Sequence, residues 1–261
     1  MQPFNPWGRL QSFVYFLNRW LQRNWQPLLF LFGTYVPLAI FAILAMQIWQ
    51  LEGGLGWDVA IMQAIHATAN PILDRIAAAW TNVGTKSGVF PASVLIGIGF
   101  LYARRWRFLT YWLIALPGCV LINRVAKLWL HRVRPSLWDY PPVPEFSFPS
   151  GHAMASMGFV AALIVLTWNT SWRIWVWLLG GGFVVSIGWT RLYLGVHYPS
   201  DIVAGWMLSI AWAVGVCLIV KPLSLTTISG SPLALSDQGG RSQASQNISQ
   251  RKSGVGGKSD L

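Results

Sequence analysis

The feature that most constrains this chain is a series of long apolar runs separated by short basic clusters. Runs at about 28–50, 84–103, 108–130, 152–169, 173–190 and 200–220 each approach the roughly 20 residues a helix needs to cross the hydrocarbon core of a bilayer. A water-soluble fold could not cover them, because only 10% of the 261 residues are charged, against about 25% in ordinary soluble domains. The pattern predicts an all-α fold: a polytopic membrane helix bundle with six transmembrane helices plus amphipathic interfacial helices. The run at 84–103 is the most interrupted, by Lys86 and several Gly and Pro residues.

The remaining segments differ in character. Residues 4–25 set Trp7, Leu10, Phe13, Val14, Leu17 and Leu21 at helical spacing, with Arg9, Arg19 and Arg23 between them. Such a pattern suits a helix lying in the membrane interface, so 1–27 is read as an amphipathic N-terminal segment. These residues contain no clean apolar core of a signal peptide, and none is expected. Helical periods around 58–69 and 71–81 lie in a stretch too broken to span and are placed on the membrane surface. The six spans and these segments make a catalytic membrane domain over 28–221. Residues 222–261, rich in Ser, Gly and Gln, read as a disordered cytoplasmic tail.

A net charge of +11 raises nucleic acid as a partner, but its placement argues against one. Arg19 and Arg23, then Arg104, Arg105 and Arg107, then Arg173, then Lys221 fall between apolar runs, as the positive-inside rule describes for cytoplasmic loops. Both termini and the loops after spans two and four are then cytoplasmic, and the loops after spans one, three and five face outward. Cys119 and Cys217 fall inside apolar runs and carry no metal or redox spacing, so they read as small buried hydrophobes.

Ionisable residues at membrane depth are costly, which makes each a functional candidate. Three groups of them fall at the outward ends of the spans. Lys127 and Arg134 are seven residues apart, close to two helical turns, so both project from nearly one face, with Pro135 ending the helix. Two cations without a nearby acid suit an anion, although snorkelling to lipid headgroups would look the same. Pro149-Ser150-Gly151-His152 precedes an apolar run. Ser150 fits a helix cap, and Gly151 lets an anion approach the open amides of the first turn. A plain capped helix with an interfacial His is the alternative. Thr190-Arg191 is followed by His197 and, four residues later, by Asp201, which the Pro199 helix start would place within reach of His197. A carboxylate on a His ring sets its tautomer and raises its basicity, but Asp201 also fits as an ordinary acid at a helix start.

Taken together, these residues resemble the type 2 phosphatidic acid phosphatase family, whose site is shared with the vanadium-dependent haloperoxidases. The family pattern is Lys, six residues and Arg-Pro; then Pro-Ser-Gly-His; then Ser-Arg, five residues, His, three residues and Asp. This chain departs at one position, where Thr190 stands for Ser and keeps the hydroxyl. The resemblance implies that Lys127, Arg134 and Arg191, with Ser150 and the Gly151 backbone, bind the phosphoryl group. It also implies that His197 attacks phosphorus and forms a phosphohistidine while Asp201 orients it. His152 would protonate the leaving group and then activate water. Under this resemblance the expected substrate is a lipid phosphate or diphosphate: phosphatidic acid, phosphatidylglycerophosphate or an undecaprenyl diphosphate type. No metal or cofactor is expected, and the expected location is a bacterial plasma membrane with the site facing outward. His131 and Arg132 match no family position and are expected to be headgroup contacts at most. A phosphotransferase with the same intermediate, or a non-catalytic headgroup-binding protein, are the rival readings.

Overall fold

A computed structural model describes residues 6–50, 53–138 and 145–223, and the expected tail lies outside them except at its start. The described elements are helical throughout. The chain opens with α1 (Pro6–Phe30), which runs without a loop into a π-helical turn at Leu31–Tyr35 and then α2 (Val36–Gln50). Pro37 explains the wide turn: it has no amide to bond back to Gly33, and its ring crowds that carbonyl. The ladder loosens there, with the Val36 amide bonded to Leu31 O. The expected division between an interfacial helix and a first span is therefore a change of winding rather than a break in the helix.

Two short helices follow, α3 (Gly56–His66) and α4 (Pro71–Val83), close to the expected surface segments. Asn70 caps α4 by accepting from the amides of Ile72 and Leu73, and Pro71 occupies the first turn, where no amide is needed. Then come α5 (Val89–Tyr102), α6 (Trp106–Leu130), α7 (Gly151–Thr167), α8 (Arg173–Tyr193) and α9 (Pro199–Val220).

Among the described residues, four segments are long and apolar enough to cross a membrane: Pro27–Gln50, Trp106–Leu130, Arg173–Tyr193 and Pro199–Val220. The other two expected spans, α5 and α7, are apolar but have 14 and 17 residues. At 1.5 Å per residue they measure about 21 and 25 Å, short of a ~30 Å hydrocarbon core. The expected span at 84–103 loses its first turn because Gly84–Gly88 forms a turn before α5 begins.

Helices α7 and α9 form the centre. They pack on each other, α8 packs on α7, α2 on α9, and α6 on both. Tyr111 and Trp112 of α6, Ala162 and Leu166 of α7 and Val216 of α9 make one core cluster. Polar groups of its aromatic residues find backbone partners: Tyr111 Oη donates to Ala213 O (3.1 Å) and Trp212 Nε1 to Ala115 O (3.0 Å). Gly118 allows the α6–α9 approach, since a Cβ there would stand 2.5 Å from the Trp212 ring. The opposite faces carry exposed Leu121, Leu128, Leu179 and Ile219, a surface suited to lipid.

This arrangement sorts the polar residues. The basic residues Arg104, Arg105, Arg107, Arg173 and Lys221 lie at one set of helix ends. The C-termini of α6 and α8 and the N-termini of α7 and α9 supply the other set, and α3 and α4 pack against α8.

Candidate active site

His197 lies in the connection between α8 and α9 and is buried. Its Nδ1 faces Asp201 Oδ2 at 3.3 Å, and its Nε2 faces Arg134 Nη1 at 3.2 Å. Asp201 is in the first turn of α9, where the same Oδ2 accepts the Tyr198 amide at 2.9 Å. The carboxylate thus caps its own helix and holds the histidine one turn back. Burial pushes the His197 imidazole well below its ordinary value, and the charges of Arg191, Arg134 and Lys127 push in the same direction. A neutral ring whose Nδ1–H donates to Asp201 leaves the Nε2 lone pair facing the cations.

Ser150 caps α7, with its Oγ accepting from the Ala153 amide at 3.5 Å. Its own amide donates to Asp201 O at 3.1 Å, which ties the start of α7 to the start of α9. Gly151 follows as the first helical residue. A Cβ there would come within 3.2 Å of Asn123 Oδ1, and Asn123 Nδ2 in turn holds Pro149 O at 3.0 Å. As at any helix start, the first-turn amides of α7 have no helical carbonyl partners. His152 presents its Nε2 to Thr85 Oγ1 at 3.3 Å, just before α5.

The three cations come from different elements. Arg191, near the end of α8, donates from Nη1 to Thr81 Oγ1 at 2.8 Å. Arg134 donates from Nε to Glu145 O and from Nη1 to Val196 O, each at 2.7 Å. Lys127 Nζ is 2.8 Å from Glu145 Oε2. That bond holds the Glu145 carboxyl below the usual carboxylate range.

Two expectations are corrected here. Lys127 and Arg134 do not share a helical face: α6 ends at Leu130, with His131 in the left-handed region at φ 44°, and Arg134 lies on the following loop. The pair also has an acid beside it, Glu145. Arg132, expected to be a headgroup contact at most, is buried, its side chain 2% exposed. Its Nη1 donates to Asp201 Oδ1 and, at 2.8 Å, to Ser200 Oγ. Its Nη2 donates to Asp58 Oδ2 at 2.9 Å and to Gly53 O at 3.0 Å. A guanidinium with two carboxylates in reach has no reason to face lipid headgroups. His131 is exposed and meets Phe146 edge-on, with ring centroids 4.6 Å apart.

The structure therefore gathers the eight residues selected from sequence at one end of the bundle, and adds Asp58, Arg132, Ser200, Thr81, Thr85 and Glu145. Asp58 carried a usable signal, being an acid set among Trp57, Val59, Ala60 and Ile61. Thr81 and Thr85 carried none. Among the described residues no three His, Cys, Asp or Glu side chains come together as a metal-ligand group.

A phosphate oxygen near Arg134, Arg191 and Lys127 would be within reach of the His197 Nε2 that Arg134 already touches. Comparison with known proteins finds relatives named as lipid phosphatases. The model of the PAP2 superfamily matches residues 106–224. Phosphatidylglycerophosphatase B of Bacillus subtilis is 33% identical over 159 residues, which cover 59% of this chain and 78% of that protein. Undecaprenyl-diphosphatase of Sulfolobus acidocaldarius is 28% identical over 184 residues, covering 67% and 84%. The crystal structure of a transmembrane PAP2-type phosphatidylglycerolphosphate phosphatase from Bacillus subtilis superposes with a TM-score of 0.62 at 28% identity, covering 73% of this chain and 98% of that one.

Proposed function

The chain belongs to the PAP2 superfamily, and from that premise we propose that it is a membrane lipid phosphatase that hydrolyses a lipid phosphomonoester or diphosphate through a phosphohistidine on His197. The observation that carries this reading is the two-sided setting of that ring, with Nδ1 on Asp201 and Nε2 turned to Arg134.

In the first step Nε2 attacks phosphorus in line, and the P–O bond to the lipid breaks. The imidazolium that forms keeps its Nδ1 proton on Asp201. Lys127, Arg134 and Arg191 take the charge of the phosphoryl oxygens, and Ser150 with the Gly151 amide completes the cradle. His152 gives its proton to the leaving oxygen. In the second step His152 takes a proton from water, whose oxygen attacks phosphorus; the P–N bond breaks, its electron pair returns to His197 Nε2, and inorganic phosphate is released. The Thr85 hydroxyl holds the His152 ring for both transfers.

The wider reading follows the same lines. The chain has six spans, with the short α5 and α7 crossing as part of the bundle. The basic helix ends are cytoplasmic and the site opens on the outer side of a bacterial plasma membrane. The substrate is a lipid of the kind the relatives' names describe, a phosphatidylglycerophosphate or an undecaprenyl diphosphate. Three side-chain cations serve for charge neutralisation, so turnover is expected to persist with chelator present.

The test is phosphate release by the purified full chain from a panel of lipid phosphates and diphosphates in one detergent, with chelator. Activity on at least one of them, abolished in His197→Ala, is the expected result. Turnover by that variant equal to the parent would overturn the phosphohistidine.

A further inference from the structure

We infer that Asp58 and Arg132 are positioning residues for the reaction, acting on His197 through Asp201. The inference rests on His197 being the nucleophile.

The four side chains form a single buried file. The two oxygens of Asp201 serve different partners: Oδ2 takes His197 Nδ1 and the Tyr198 amide, and Oδ1 takes Arg132 Nη1. Arg132 in turn is held on every side. Its Nη2 reaches Asp58 Oδ2, its Nε and Nη2 reach Gly53 O at 3.3 and 3.0 Å, and its guanidinium lies 4.1 Å from the centre of the Tyr198 ring. Asp58 is as fully engaged. Its Oδ1 accepts the Ser200 amide at 2.9 Å, and its Oδ2 accepts the Ser200 hydroxyl at 2.7 Å and the Leu55 amide at 2.9 Å. The Ser200 hydroxyl closes the circuit by accepting from Arg132.

The charges explain why two acids are needed. Arg132 with Asp201 alone would make a neutral pair, and an imidazolium forming on His197 would face little net charge. Asp58 balances Arg132 and leaves the negative charge of Asp201 for the histidine. The file then carries one net negative charge while His197 is neutral, and none once the phosphohistidine forms. Arg132 also prevents Asp201 from rotating, because its second oxygen is already taken.

A plain fold staple between α3, the loop after α6 and α9 would use the same contacts, so the test must separate the two. Arg132 and Asp58 are buried and bond none of the three phosphate-facing cations, so a positioning role appears in kcat and spares phosphate binding. The assay is steady-state turnover of the full chain in detergent, with inhibition by inorganic phosphate measured beside it. Asp58→Asn is expected to lower kcat about tenfold or more, with KM and phosphate inhibition within about twofold of the parent. In an Asp201→Asn background the same change is expected to add less than about twofold, because the carboxylate it acts through is gone.

Ser200→Ala, a smaller change, is expected to lower kcat severalfold with KM preserved, and it decides the matter if Asp58→Asn does not fold. An unchanged kcat in whichever of these variants folds, a loss confined to KM, or equal losses in both backgrounds would each overturn the inference. His197→Ala run alongside separates the two levels. An inactive His197→Ala beside an unimpaired Asp58→Asn removes the positioning role alone, whereas an active His197→Ala removes the phosphohistidine and this inference with it.

Discussion

Replacing Asp201 by Asn keeps the size and shape of the side chain and removes one charge. The surroundings leave the amide no good orientation. With its oxygen towards Arg132, its NH2 meets both the Tyr198 amide and His197 Nδ1. The ring must then carry its proton on Nε2, the atom proposed to attack. With its oxygen towards His197, its NH2 points at a buried guanidinium. In both cases the imidazolium formed by the proposed phosphoryl transfer loses its counter-charge. Two unit charges about 4 Å apart at an effective dielectric of ~20 interact by about 4 kcal/mol. At ~1.4 kcal/mol per decade, that corresponds to a kcat lower by about a thousandfold. The equivalent exchange in a Ser-His-Asp triad costs about ten thousandfold, for the same reason of tautomer and charge.

Because Asp201 bonds none of Lys127, Arg134 and Arg191, the cations proposed to bind phosphate, KM and inhibition by inorganic phosphate should change little. Steady-state kinetics on a lipid phosphate, with thermal unfolding in the same detergent to confirm the fold, measures all three. A folded Asp201→Asn protein with kcat within tenfold of the parent, or with its whole loss in KM, would refute the reasoning.

Other substitutions probe the binding side and the buried charge. Arg134→Ala removes a charged donor beside Nε2, a contact type worth about 1.5–3 kcal/mol, so the inhibition constant for inorganic phosphate should rise by about one to two decades. Glu145→Gln frees Lys127 from the carboxylate that occupies it; with that side chain 70% exposed, KM should fall severalfold and kcat should hold. The depressed His197 sets a pH dependence of stability. Below its ordinary value of 6.5 the unfolded chain takes up a proton that the folded site refuses, so this contribution is present above pH 6.5 and is lost as pH falls below it. Thermal unfolding across that range should show a declining midpoint, with a shallower decline in His197→Asn. Gly195→Ala should lower the unfolding midpoint, since φ is +69° and a Cβ there would stand 2.4 Å from Trp138 Nε1; left-handed backbone alone costs about 1–2 kcal/mol.

What could be read from sequence was local. Ser150 capping α7 and Asp201 reaching back four residues to His197 follow from spacing and helix geometry alone. The apolar runs likewise announced the helices of the bundle. The failures lie where distant segments decide the outcome. Pro135 was a sound stop signal, but α6 stops at Leu130, because the next residues turn inward to satisfy Arg132 and to place Arg134 on Glu145 O and Val196 O. Arg132 looked like one more basic residue at a span end. Its meaning depends on Asp58, 74 positions away, and no periodicity connects the two. The length of α5 was overestimated because the expected span takes in Gly84–Gly88, a turn with Thr85, Lys86 and Ser87 between its glycines, before the helix begins at Val89.

The distance along the chain between Asp58 and its partners also bears on how the molecule is made. Asp58 is synthesised 74 residues before Arg132 and 142 before Ser200. Until both have emerged, its carboxylate lacks the guanidinium and the serine that will surround it. Its full set of partners therefore waits for the last helix, although Arg132 and α8 precede it. A nascent chain halted before α9 holds Asp58 and Arg132 without Asp201, and is expected to be inactive. Catalytic competence thus arrives late in synthesis, as a sign that the bundle is complete.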